Sequence, residues 1–280
     1  MTLRAPASLQ NSIEVVDLVT HFGDRQILHN VNLEVRKGEI MVIMGGSGSG
    51  KTTLLNHLLG LLAPTSGTVR VLGHDIERLS PMALQRLRTR TGVAFQSGAL
   101  FSSMSVGDNI ALPLREHTDL DETTIGIMTR LKLEVVSLAG FEALMPAELS
   151  GGMIKRAALA RAIVMDPELL FCDEPSAGLD PVVAASIDDL ILRLRDAMGM
   201  SIVVVTHDLD STFKIADRIC VLDKGHVLAL GTVEAIRASA DPRIQNLLNR
   251  RTEDPEPDAD AYLRRLLGEA ARPPDEAKRL

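Results

Sequence analysis

Residues 45–53 read "GGSGSGKTT". They follow the apolar run "EIMVIMG" at 39–45 and lead into "KTTLLNHLLGLL" at 51–62. A short apolar run ending in glycines predicts a buried strand, and the segment after it predicts a helix ended by "PTSG" at 64–67. A G-x-x-x-x-G-K-[S/T] pattern at such a junction is a phosphate cradle. Its glycines let backbone N–H groups wrap a β-phosphate. Lys51 is placed to neutralise β- and γ-phosphates, and Thr52 to bind Mg²⁺. The candidate nucleotide-binding residues are therefore Gly45, Gly46, Ser47, Gly48, Ser49, Gly50, Lys51, Thr52 and Thr53.

Outward from the loop, residues 13–35 alternate apolar and polar around a turn-like "FGDR", as antiparallel strands do. "TVRVLGHDI" at 68–76 reads as a further strand pair, and "PMALQRLRTR" at 81–90 as a helix with proline near its start. From about residue 100 to 160 helical periods dominate, which predicts a helical insert. Strand patterns return in "ELLFCDEP" (168–175), "SIVVVTHD" (201–208), "RICVLDKG" (218–225) and "HVLALG" (226–231). The helix "VVAASIDDLILRLRDAM" (182–198) separates the first two. The fold class expected is α/β, with a mostly parallel sheet, helices on both faces, an antiparallel β-subdomain and a helical subdomain. Residues 13–250 form the expected main domain. The acidic, proline-rich stretch 251–280 is a C-terminal extension with an apolar stripe of Tyr262, Leu263, Leu266 and Leu267. That stripe either docks on a neighbouring subunit or belongs to a solvated tail.

Further chemistry sits at predicted strand ends. "LLFCDE" closes on Asp173 and Glu174, and carboxyl ends of parallel strands face the ligand crevice. Asp173 is placed to hold Mg²⁺ and Glu174 to polarise an attacking water. His207 follows a third buried strand and either bonds a γ-phosphate or is structural. Phe22 beside Gly23 either stacks on adenine or fills core. Gln96 ends the strand-like "GVAFQ", where a neutral amide can bind metal or water.

"LSGGM" at 149–153 then offers a second cradle, from Ser150, Gly151 and Gly152 at a helix start. One nucleotide does not need two cradles. Either Ser150 simply caps its helix, or the second cradle grips the nucleotide of a second copy packed head to tail.

The bulk properties narrow the partners. A formal net charge of −7 over 280 residues argues against a nucleic-acid partner. One Tyr and no Trp leave few platforms for stacking bases. No apolar run reaches the ~18–20 residues of a membrane span. The start of the chain lacks a signal-peptide core, so a soluble cytoplasmic protein is expected. Cys172 and Cys220 lie in apolar runs and read as reduced, buried thiols.

Together, "GGSGSGKT", Gln96, "LSGGM", "LLFCDEPSAGLD" and His207 resemble, in order, the nucleotide-binding subunits of ABC transporters over about residues 13–245. The resemblance implies a P-loop ATPase with ATP and Mg²⁺ as cofactors. Phe22 would be the adenine-stacking aromatic, Gly45 to Thr53 the Walker A loop, and Gln96 the Mg²⁺-sensing glutamine that contacts a permease. Leu149 to Met153 would be the signature, Asp173 and Glu174 the Walker B pair, and Ser176 to Asp180 the D-loop. Met153 departs from the family's usual glutamine, which affects only contacts of that side chain.

"AFQSGALF", "NIALPLREHT", "LMPAELSGGMIKRAALARAI" and "VTHDL" further resemble the ATPases of Mla-type phospholipid transporters, relatives of Mce lipid importers. That resemblance implies a homodimer of this chain on the cytoplasmic face of the inner membrane. It would drive a permease dimer, with a periplasmic Mce-domain lipid-binding ring and a small cytoplasmic STAS-domain protein. The same motor for another cargo, such as an amino acid, is the alternative. Leu100 and Phe101 either line a groove for a permease loop or fill the helical subdomain.

Overall fold

The computed structural model describes residues 11–249. The chain divides into two compact units, Met1–Ala238 and Ser239–Leu280. The stretch 251–280, and the docking expected of it, lie outside the described residues.

In chain order the first unit contains β1 (Asn11–Phe22), β2 (Arg25–Arg36), β3 (Ile40–Gly45), α1 (Lys51–Leu58), β4 (Ser66–Val71), β5 (His74–Asp75), α2 (Pro81–Arg88) and β6 (Thr91–Ala94). It continues with α3 (Val106–His117), α4 (Glu122–Val135), α5 (Gly151–Ala162), β7 (Leu169–Asp173), α6 (Pro181–Met198) and β8 (Ser201–Thr206). α7 (Leu209–Ile215), β9 (Arg218–Asp223), β10 (His226–Thr232) and α8 (Val233–Arg237) complete it. The described part of the second unit holds α9 (Pro242–Leu248), N-capped by Asp241.

Two sheets form. β2-β1-β4-β5 is antiparallel, as the alternating pattern of 13–35 predicts. The second has the order β10-β9-β3-β8-β7-β6 and is parallel except for β10 against β9. β3 and β8 are buried at every residue, which is why they read as unbroken apolar runs rather than alternations. Helices α3, α4 and α5 pack on one another in the segment that the sequence marks as helical. Phe171, Met41 and Ile43 of the parallel sheet share a core with Leu54 and Leu58 of α1 and with Ile13 and Leu28 of the antiparallel sheet.

Two boundaries differ from the sequence reading. α1 stops at Leu58, well before "PTSG". Gly60 takes a left-handed backbone (φ +62°). The Leu61 N–H then reaches the Asn56 carbonyl at 2.9 Å and the Gly60 N–H reaches that of His57 at 3.0 Å, a Schellman end. β6 stops at Ala94, so Gln96 lies in the turn beyond the strand and not at its end.

A buried polar chain runs behind the end of β7. The Ser211 hydroxyl donates to Asp188 Oδ2 at 3.0 Å, which leaves Ser176 to donate to Ser211 across 3.4 Å. Asp188 is 3% exposed and its Oδ1 has no partner. Burial pushes its carboxyl up to about 6, with Asp208 and Asp189 adding to the rise and the Ser211 bond and Lys214 opposing it. A raised folded-state pKa means that the native state holds an extra proton between about pH 4 and 6. Stability from this group is therefore greatest at low pH and is lost as pH rises through 6. Replacing Asp188 by Asn removes that dependence. Melting curves from pH 4 to 7 should show Asp188→Asn gaining about 1–3 kcal/mol relative to the parent as pH rises. Parallel curves would contradict the assignment.

Candidate functional site

Gly45, the last residue of β3, is pressed against β9. A Cβ there would sit 2.2 Å from the Leu222 carbonyl oxygen, so no other residue fits without moving backbone. The loop is held by Ser49, whose N–H reaches the Gly46 carbonyl (3.3 Å) and whose carbonyl accepts from Gly225 (3.0 Å). Gly50 enters α1 at φ +103°, in a region closed to most side chains. Gly46, Ser47 and Gly48 are exposed, as is Thr52, while Thr53 is half-buried. The first turn of α1 has backbone N–H groups with no acceptor inside the helix. Lys51 Nζ folds over the loop and donates to the carbonyls of Gly45 and Gly46 at 2.9 Å each. Burial lowers the pKa of its ammonium, and Glu174 and Asp173 pull it back up.

Parallel register delivers the acids to the same end of the sheet. Asp173 pairs with Val205 and Met44 with Thr206. Glu174 extends the ladder by one bond, its N–H to the Val205 carbonyl at 2.8 Å. Its backbone is left-handed (φ +47°), a strained conformation for a non-glycine residue. The carboxylate is fixed at both oxygens: Thr206 Oγ1 donates to Oε2 at 3.0 Å, and His207 Nδ1 lies 2.7 Å from Oε1. The acid is nearly buried, with 12% of its side chain exposed, whereas the His207 ring is 70% exposed. Burial raises the Asp173 pKa, the neighbouring Glu174 raises it further, and Lys155 and Lys51 lower it.

Gln96 and Asp173 line one cleft together with Phe95, Ser97, Ala177 and Gly178. Phe22, at the end of β1, is 53% exposed and offers a bare ring. Phe101 is 52% exposed and Leu100 partly so, which favours the groove over the core reading. Ser150 is the N-cap of α5, its Oγ accepting from the Met153 N–H at 3.3 Å. The cap uses a lone pair of the oxygen and leaves its hydrogen free, so capping does not exhaust this group. Gly151 is exposed, whereas Gly152 is buried against α6, where a Cβ would meet Val183 at 2.6 Å. Among the described residues no hydrogen bond joins 150–152 to 45–53.

Sequence reasoning missed Lys155. Inside "GGMIKRAALARA" it reads as one more surface cation, yet it is buried with its ammonium on the carbonyls of Gln96 and Glu174. Its signal was faint: it falls on the same helix face as the buried apolar residues Ala158 and Leu159, spaced three and four residues on.

A phosphate loop between β3 and α1, an acid pair at the end of β7 and a histidine after β8 define a P-loop nucleoside triphosphatase. Residues 28–177 match the family described as "ABC transporter", and the chain belongs to that family. It is 48% identical over 246 residues to "Intermembrane phospholipid transport system ATP-binding protein MlaF" of Haemophilus influenzae, covering 88% of this chain and 93% of that one. The Escherichia coli K12 protein of the same name is 42% identical over 250 residues, covering 89% and 93%. Among solved structures, the dimeric post-hydrolysis state of the ATP-binding cassette MJ0796 bound to ADP and Pi superposes with a TM-score of 0.73. It shares 30% identity and covers 79% of this chain and 98% of its own. The fold is that of an ABC ATPase, and the reaction of the chain is ATP hydrolysis.

Lys51→Ala removes the ammonium spread over the loop. Titration with a fluorescent ATP analogue should show affinity reduced by about 10²-fold. Parent-like affinity would take Lys51 and its loop out of nucleotide binding.

Proposed function

We propose that this chain is the motor of a transporter that moves phospholipids between the inner and outer membranes. The likeness to the two MlaF proteins over most of both chains carries the choice of cargo. The grip of Thr206 and His207 on Glu174 carries the chemistry.

In that chemistry the Glu174 carboxylate accepts a hydrogen bond from the attacking water and aligns it with the γ-phosphorus. A bond forms from the water oxygen to phosphorus, and the bond to the β–γ bridging oxygen breaks. ADP leaves, and the water proton ends on the phosphate released. With Nδ1 donating to the carboxylate, His207 can donate from Nε2 to the terminal phosphate only as imidazolium. Phe22 presents its exposed ring to adenine, and Lys51 balances the phosphate charge. Thr52, Gln96 and Asp173 make an all-oxygen donor set suited to Mg²⁺. The ion would neutralise phosphate charge.

Ser150, Gly151 and Gly152 serve the nucleotide of a second copy, so two chains bury two ATPs between them. The solved relative MJ0796 is dimeric. The ATPase domain is taken to span 13–250, with its helical subdomain at about 100–160, and 251–280 as a C-terminal extension. Among the described residues no helix is long and apolar enough to cross a membrane. The likeness to the MlaF proteins supports a chain held at the cytoplasmic face of the inner membrane by a permease dimer, which Phe95 and Phe101 are exposed to meet. A periplasmic Mce-domain ring and a small STAS-domain protein complete the assembly.

Affinity purification from detergent-solubilised native membranes, followed by mass spectrometry, tests this reading. It should recover a multi-span permease, an Mce-domain protein and phospholipid. A permease with an amino-acid-binding protein instead would keep the motor and overturn the cargo.

A further inference from the structure

Lysine is among the residues least often buried without a partner. Lys155 is 9% exposed, on α5, and its ammonium bonds the backbone carbonyls of Gln96 and, at 2.8 Å, Glu174. Neither acceptor is a carboxylate, so this is no ordinary ion pair. The ammonium is a pin through three segments: the turn after β6, Glu174 just past β7, and α5, which Ser150 caps.

The pin acts on a strained residue. Glu174 holds φ +47°, its N–H is fixed on Val205, and its carbonyl accepts from Lys155 and, at 3.3 Å, from Ala177. With both flanking peptides held, the backbone sets the Cα–Cβ direction from which the side chain reaches Thr206 and His207. The other end of the pin is equally stiff. Arg161, two turns further along α5, donates to the carbonyls of Ala99 (2.8 Å) and Gly98 (3.0 Å). Gly98 packs so closely on Ile154 that a Cβ would lie 2.6 Å from it. Residues 96–99 are thus strapped to α5, and only Lys155 links that strapped body to the Glu174 carbonyl by a side-chain hydrogen bond among the described residues.

We propose that Lys155 is a positioning residue that makes the aim of the Glu174 carboxylate depend on where the Gln96 segment stands. Nucleotide binding alone then does not bring the site to full activity; the Gln96 segment and α5 must also be seated. The inference rests on the reading of Glu174 as the group that orients water.

The test compares Lys155→Met, which keeps the stem and removes the donors, with Lys155→Arg, which restores donors, in the full chain. ATP affinity and kcat are measured side by side, with Glu174→Gln as control. The expected result for Lys155→Met is ATP affinity within about threefold of the parent and kcat lower by about 10–100-fold, with Lys155→Arg recovering most of it. Turnover of Lys155→Met within about twofold of the parent overturns the proposal. So does a loss of affinity and kcat in step, the mark of a lysine that only holds the fold. If the methionine variant does not fold, Lys155→Gln carries the same comparison, and the same two results overturn the proposal. Parent-like turnover of Glu174→Gln would instead remove the reading of Glu174, a failure distinguishable from that of Lys155.

Discussion

The site hangs on the parallel register of three buried strands. β3, β8 and β7 lie side by side and point the same way, so their carboxyl ends reach one edge of the sheet together. One edge then carries the phosphate loop, Thr206 with His207, and Asp173 with Glu174. A one-residue slip of β7 against β8 would turn Asp173 to the other face of the sheet. Such a slip is opposed by strands buried on both faces, since every displaced side chain would have to find new packing.

Most of this frame is legible in the sequence because the physics is local. Unbroken apolar runs at 40–44, 169–172 and 202–205 are satisfied between two layers, and they end abruptly in glycine, in an acid pair and in threonine then histidine. The alternation in 13–35 marks a sheet with one wet face. The stop of α1 at Leu58 is harder to see, because Gly60 does the work of the later proline and a lone glycine in a leucine-rich run also reads as one tolerated inside a helix. Gln96 lies past its strand because the turn from Phe95 to Gly98 closes there.

What stays hidden is non-local. Lys155 is one basic residue in a helix with several, and only the tertiary fold shows that its head lies on two carbonyls rather than in water. Gly152 reads as part of an anion cradle, yet its lack of a side chain is also required by Val183 of α6. Ser150 reads as a cap or a ligand, and the geometry leaves both roles to the one hydroxyl. Asp188 carries no motif at all, and its raised pKa arises wholly from where α6 and α7 put it.

The proposed dimer rests on the second cradle, which makes no hydrogen bond to residues 45–53 among the described residues. On that reading the Ser150 hydroxyl and the exposed Gly151 meet the far side of a nucleotide held by another chain. The most direct measurement is sedimentation of the Glu174→Gln chain with Mg²⁺ and either ATP or ADP, since this variant keeps bound ATP intact. The account predicts a dimer with ATP and a monomer with ADP. A monomer at saturating ATP would contradict it.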